Sequence, residues 1–112
     1  MTDCLFCRIV AGEIPAEIVY EDEQILVFKD INPRAAVNLL AIPKIHLTCL
    51  EEITSEHQML IGHIMVQLHH LARAQGLPDG FRAIINTGPG GGQEVGHLHV
   101  HLLGGEGLPG FN

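Results

Sequence analysis

The chain has 112 residues, 46 % of them hydrophobic, the size and composition of one globular domain, 1–112, with a single core. A formal net charge of −7, with only six Lys plus Arg, excludes a basic face for polymeric nucleic acid, although backbone amides, histidines and helix ends can still hold a small phosphorylated ligand. No apolar run of about 18 residues and no apolar signal core is seen, so no membrane partner is expected and the cytoplasm is the expected location.

From Cys4 to Val10, Leu5, Phe6, Ile9 and Val10 recur at helical spacing, and Ala11-Gly12 closes what should be a short helix. Cys4 and Cys7 form a C-x-x-C pair on it, a metal signal only if two further ligands exist. Cys49 stands alone and reads as a buried small hydrophobe. Ile14-Pro15 forces an extended passage. Ile18-Val19-Tyr20 and Gln24 to Lys29 are β-rich runs joined across Glu21-Asp22-Glu23, a hairpin with an acidic tip.

Asp30-Ile31-Asn32-Pro33 is a turn sequence that carries a carboxylate out of a strand end. Asn38 to Pro43 is a third strand, and its near-continuous apolar run implies burial on both faces, by a helix or a partner subunit. Ser55 with Gln58 three positions on reads as a capping box that opens one long helix, with Leu60, Ile64, Leu68 and Leu71 as its stripe and Gly76 as its end. His57, His63, His69 and His70 lie on it and read as solvated or partly packed. Phe81 to Asn86 alternates as a fourth strand. Thr87 to Glu94 follows, rich in glycine: either a flexible hairpin loop or, as its place just before the histidine run favours, a stretch where bare backbone amides approach a ligand.

His97-Leu98-His99-Val100-His101-Leu102-Leu103 alternates imidazole with aliphatic positions, so an extended strand would set three histidines on one face. At about 3.3 Å per residue the outer two stand roughly 13 Å apart, too far to share one metal from a regular strand. Three readings compete. The rings merely cover a sheet face; a His-x-His pair holds a hydrolytic zinc, although no H-E-x-x-H or clustered Asp supplies the remaining ligands; or a neutral imidazole attacks phosphorus while its neighbours bind oxygens and protonate the leaving group. The centre of the strand suits the last role best. The element order gives an α+β domain, an antiparallel sheet with one main helix on a face.

The run His97 to Leu103 resembles the histidine triad (HIT) motif. Phe28-x-Asp30-Ile31-x-Pro33, Ile42-Pro43-Lys44-x-His46, Asn86, Gly92-Gln93-Glu94-Val95 and Gly104-Gly105 stand in the order of the Hint (histidine triad nucleotide-binding) branch, from Cys4 to Gly105. The resemblance implies a HIT-like fold, a five-stranded antiparallel sheet with one long helix and a short N-terminal helix, in a homodimer. It implies hydrolysis of purine nucleoside phosphoramidates to an amine and a nucleoside monophosphate such as AMP, with His99 as nucleophile through a nucleotidyl-histidine intermediate. His101 would contact phosphate oxygens, and Asn86, Gly92, Gln93 and Glu94 would line the phosphate and leaving-group side. Asp30 would bind the ribose hydroxyls, with Leu5, Phe6, Ile9, Phe28 and Ile31 around the base. Cys4, Cys7, His46 and His97 would make a closed structural zinc site, with no metal needed for catalysis.

Three positions depart from the pattern: Asn38 stands where many Hint proteins have histidine, Glu94 where many have serine, and Gly96 where an aromatic is usual. Glu94 leaves the leaving-group preference open. The tail from Glu106 to Asn112 occupies the place of a segment that in relatives reaches the neighbouring active site. Two other functions fit the motif: a nucleotide-binding or signalling module with little turnover, and a dinucleoside polyphosphate hydrolase or nucleotidyl transferase of another HIT branch.

Overall fold

A computed structural model describes residues 3–108 and 110. Helix α1 (Leu5–Val10) is followed by strands β1 (Ile18–Glu21), β2 (Ile25–Lys29) and β3 (Val37–Pro43), the long helix α2 (Gln58–Ala74), and strands β4 (Arg82–Ile84) and β5 (Val100–Gly104). The five strands form one antiparallel sheet in the order β1-β2-β3-β5-β4, the architecture expected from the sequence. Among the described residues no helix is long and apolar enough to cross a membrane. The last tail positions lie outside the described residues.

Strand alternation explains the two apolar layers. Ile25, Val27, Leu39, Ala41, Val100 and Leu102 point to one side and pack with Leu98 against Leu60, Ile64, Leu68 and Leu71 of α2. Leu26, Phe28, Leu40 and Ile42 point to the other and pack against Phe6 of α1. This is why β3 reads as an unbroken apolar run: it is central, and a helix covers each face. Each such aliphatic side chain, fully buried, contributes about 1.5–3 kcal/mol.

Four local expectations change. The capping box closes on the turn ahead of the long helix and starts at Thr54, not Ser55: the Thr54 side chain accepts the Glu56 N–H, and His57 Nδ1 accepts the Thr54 N–H, so a histidine takes the part that Gln58 was expected to play. Ser55–His57 is a single 3₁₀ turn that leads into α2. β5 begins at Val100, so His97 and His99 lie on irregular backbone before the strand and not on one regular face with His101. Cys49 is half-buried, at the N-cap position of the Leu50–Glu52 turn.

The acidic hairpin tip is tied down. Asp22 accepts hydrogen bonds from Tyr20 Oη (2.7 Å) and from the backbone N–H of Gln24 (2.8 Å) and Ile25 (2.9 Å). Its Oδ2 also lies 2.6 Å from His63 Nε2, joining the β1–β2 hairpin to α2. Burial works against the ionised carboxyl, but the bonds from His63, Gln24, Tyr20 and Ile25 outweigh it and hold Asp22 far below the usual carboxylate range. His63 is therefore not simply solvated.

Candidate active site and metal centre

The break in strand regularity before Val100 is what separates the three histidines. The His97 N–H bonds the Val95 carbonyl (2.9 Å) and the Leu98 N–H bonds the Leu47 carbonyl (2.6 Å), so the chain is pinned here outside the sheet ladder. His97 is fully buried and turns toward α1, with Nδ1 3.3 Å from Cys4 Sγ and 3.6 Å from Cys7 Sγ. His46, just past the end of β3, brings its Nδ1 to 3.2 Å from Cys7 Sγ. The donor atoms of Cys4, Cys7, His46 and His97 all lie within 4.8 Å of one another.

These residues fit zinc. A tetrahedron with Zn–N near 2.0–2.1 Å and Zn–S near 2.3 Å has N···S edges of roughly 3.6 Å, which the observed spacings approach. His97 Nε2 lies 2.9 Å from the Pro43 carbonyl oxygen, to which it donates, leaving the Nδ1 lone pair for a metal. Burial pushes the His97 imidazole below its ordinary value against the opposing Pro43 hydrogen bond, which favours the neutral form a ligand requires. Cys4, Cys7, His46 and His97 would supply all four donors to a zinc ion, a Cys2His2 set that would leave no position for substrate and makes the site a structural one. It ties α1 to the end of β3 and to the segment before β5.

His99 and His101 face the other way, into a cavity of about 540 Å³. His101 lies on β5, paired with Leu40 of β3 and Ile84 of β4, so its position is set by the sheet. His99 is 6 % exposed; its Nδ1 lies 2.7 Å from the His97 carbonyl oxygen and its ring meets the edge of Phe6 at a centroid distance of 5.3 Å. Donation from Nδ1 to that carbonyl fixes the tautomer and leaves Nε2 unprotonated. The His99 and His101 rings stand 5.0 Å apart, edge to face. Burial, then the His99 charge, lower the affinity of His101 for a proton, while Asp30 and Glu94 raise it.

The cavity has an apolar side made by Leu5, Phe6, Ile9 and Phe28, with Ile31 at its rim, and a polar side made by Asp30, Asn86, Gly92, Glu94, His99 and His101. Asp30 follows β2, and its Oδ1 accepts the Asn32 N–H (2.9 Å), the turn expected there. Asn86 Nδ2 donates to the Gly91 carbonyl (2.8 Å), holding the glycine-rich loop against the end of β4. Gly92 has φ +78°, a conformation that disfavours any side chain.

Gln93 does not line the cavity. Its Nε2 donates to the carbonyls of Thr48 (2.7 Å) and Val95 (2.8 Å), and its Oε1 accepts the Gly88 N–H (2.8 Å), so it braces the loop from behind. Ile14, Pro15, Ala16, Lys29, Asn32, Arg34, Leu40 and Val95 complete the lining and were not singled out from the sequence. The extended Ile14-Pro15 passage and the turn that ends at Pro33 were the available signals, but neither says which side chains reach a common space.

Comparison with known proteins agrees with this geometry. The family model described as "Scavenger mRNA decapping enzyme C-term binding" matches residues 3–108. Protein HitA of Neisseria gonorrhoeae is 54 % identical over 104 residues, 93 % of this chain and 97 % of its own. A 14 kDa zinc-binding protein of Zea mays is 46 % identical over 103 residues, 90 % of this chain and 80 % of its own. Among solved structures, a HIT family hydrolase from Legionella pneumophila Philadelphia 1 superposes with a TM-score of 0.90 at 47 % identity, over 93 % of this chain and 94 % of that one. With two imidazoles in a cavity, the third turned to a cysteine pair, and these relatives along nearly its whole length, the chain belongs to the histidine triad (HIT) family.

Proposed function

We propose that this protein is a nucleoside phosphoramidase of the Hint branch, and that it cleaves the P–N bond of purine nucleoside phosphoramidates with His99 as nucleophile. The observation that carries the reading is the bond between His99 Nδ1 and the His97 carbonyl, 2.7 Å, which leaves Nε2 with its lone pair on the cavity side. The His99 Nε2–P bond forms as the P–N bond breaks, and the leaving nitrogen takes a proton from solvent water to depart as the amine. Water then cleaves the phosphorus–imidazole bond, restoring the ring and releasing a nucleoside 5′-monophosphate such as AMP. His101 binds phosphate oxygens, Asp30 accepts the ribose hydroxyls, and Leu5, Phe6, Ile9, Phe28 and Ile31 enclose the base.

The name of the Legionella relative supports hydrolysis, and that of the maize relative supports zinc at Cys4, Cys7, His46 and His97. When bound, zinc serves the fold; the catalytic imidazoles belong to a separate set of residues. We also propose a homodimer. β4 forms one edge of the sheet, and Met59 (84 % exposed) and Val66 (56 %) leave apolar surface on α2 to be covered.

The test is turnover of an adenosine phosphoramidate and of a diadenosine polyphosphate by wild type and His99→Ala. The reading expects His99-dependent cleavage with the phosphoramidate preferred. Preference for the polyphosphate would move the protein to another HIT branch, and absence of turnover with retained AMP binding would make it a binding module.

A further inference from the structure

Arg34, on the β2–β3 connection, and Glu94, on the glycine-rich loop, both line the cavity, and Arg34 Nη2 lies 3.8 Å from Glu94 Oε1. The contact is longer than a hydrogen bond, and the side chains are 69 % and 81 % exposed, so this ion pair is weak and readily exchanged. The roots of the two arms are nonetheless fixed. The Arg34 N–H donates to Oδ1 of the buried Asn38 (3.0 Å), and Glu94 follows the braced Gln93.

Both charges lie close enough to His101 to act on its affinity for a proton, with opposite sign. The other cation of the lining, Lys29, is engaged by Glu17 at 2.9 Å. The lining also carries the carboxylates of Asp30 and Glu94. Against these carboxylates, an anionic phosphoryl group at His99 and His101 is favoured by a cation that is permanently charged and geometrically suited to phosphate oxygens, which is what a guanidinium offers.

We propose that Arg34 is the phosphate-selecting residue of this cavity, its guanidinium exchanging Glu94 for the non-bridging oxygens of a nucleotide seated at His99 and His101. The inference rests on the nucleotide reading above and names the group that tells a nucleotide from a nucleoside. Glu94 then acts as a competitor that weakens phosphate binding until it is displaced.

Calorimetric titration of the zinc-loaded protein with AMP and, separately, with adenosine tests this in wild type, Arg34→Gln, Arg34→Lys and Glu94→Gln. Arg34→Gln should weaken AMP about three- to tenfold and leave adenosine unchanged, and Arg34→Lys should recover part of the loss. Glu94→Gln should tighten AMP, and the gain should vanish in Arg34→Gln/Glu94→Gln. Unchanged AMP affinity in Arg34→Gln, or an equal loss for adenosine, overturns the role of Arg34 while leaving the nucleotide reading intact. Failure of wild type to bind either compound overturns both.

Discussion

The carbonyl of His97 and the ring of His99 are joined at 2.7 Å, so the residue that faces the cysteines also orients, through its own main chain, the imidazole that faces the cavity. The Cys/His cluster and the ring on the cavity are therefore separated by only two residues of backbone. Removing a cysteine should loosen that backbone without touching the cavity. Cys7→Ser is expected to lower bound zinc from about one ion per chain to a trace and to cost more than about 2 kcal/mol, roughly 8 °C or more in Tm. Metal analysis and calorimetry on protein prepared without chelator check both. Full zinc in the variant would contradict the four-ligand assignment.

His101 is set by the sheet and touches the reacting group in the proposed chemistry, so His101→Ala should fold normally and lose about 10²-fold in kcat/KM. Burial, with the His99 charge acting in the same direction, holds its affinity for a proton low, so the folded protein takes up fewer protons here than the unfolded chain. Stability should then be complete above the unfolded histidine value of about 6.5 and fall as pH drops through it. The decline in denaturation midpoint between about pH 7.5 and 5.5 should be smaller in His101→Ala, and an unchanged decline would refute the sign.

The Asp22 carboxylate joins β1–β2 to α2 through His63, and hydrogen bonds to its ionised form keep its folded value depressed. Its contribution is present above the unfolded carboxylate value of about 3.9 and is lost as pH falls below it. Asp22→Asn should cost about 1–3 kcal/mol near neutrality and flatten the acid limb of the stability curve. An unaltered acid limb would show that the staple carries no linkage.

Gln93 holds the glycine loop from behind through three bonds, so its effect on substrate is indirect. Gln93→Ala should raise KM for a phosphoramidate several-fold, with kcat falling by less than about tenfold, because the loop that carries Gly92 and Glu94 loses its brace. A collapse of kcat as deep as that of His99→Ala would put Gln93 in contact with the reacting atoms.

Much of this was legible in the sequence because local rules and tertiary packing agree. Leu98, Val100 and Leu102 alternate with the histidines and do pack on α2, and Leu60, Ile64, Leu68 and Leu71 face them at helical spacing. The histidine run also misled, since alternation implies a strand from His97 onward, whereas the bonds of His97 and Leu98 to Val95 and Leu47 delay it to Val100. That delay lets His97 turn away from its neighbours, and no periodicity encodes it. Arg34 was invisible for a related reason: its place on the cavity follows from Asn38 holding the turn, a contact between residues that spacing does not relate. His57 in the capping box and His63 on Asp22 are side-chain partnerships of the same kind.

The most direct test of the account is a rapid quench of wild type with a saturating adenosine phosphoramidate, followed by peptide mapping by mass spectrometry. The account predicts an AMP adduct on the peptide that contains His99, fragmenting to that imidazole, with none formed by His99→Ala. An adduct on any other side chain, or unimpaired turnover by His99→Ala, would contradict it.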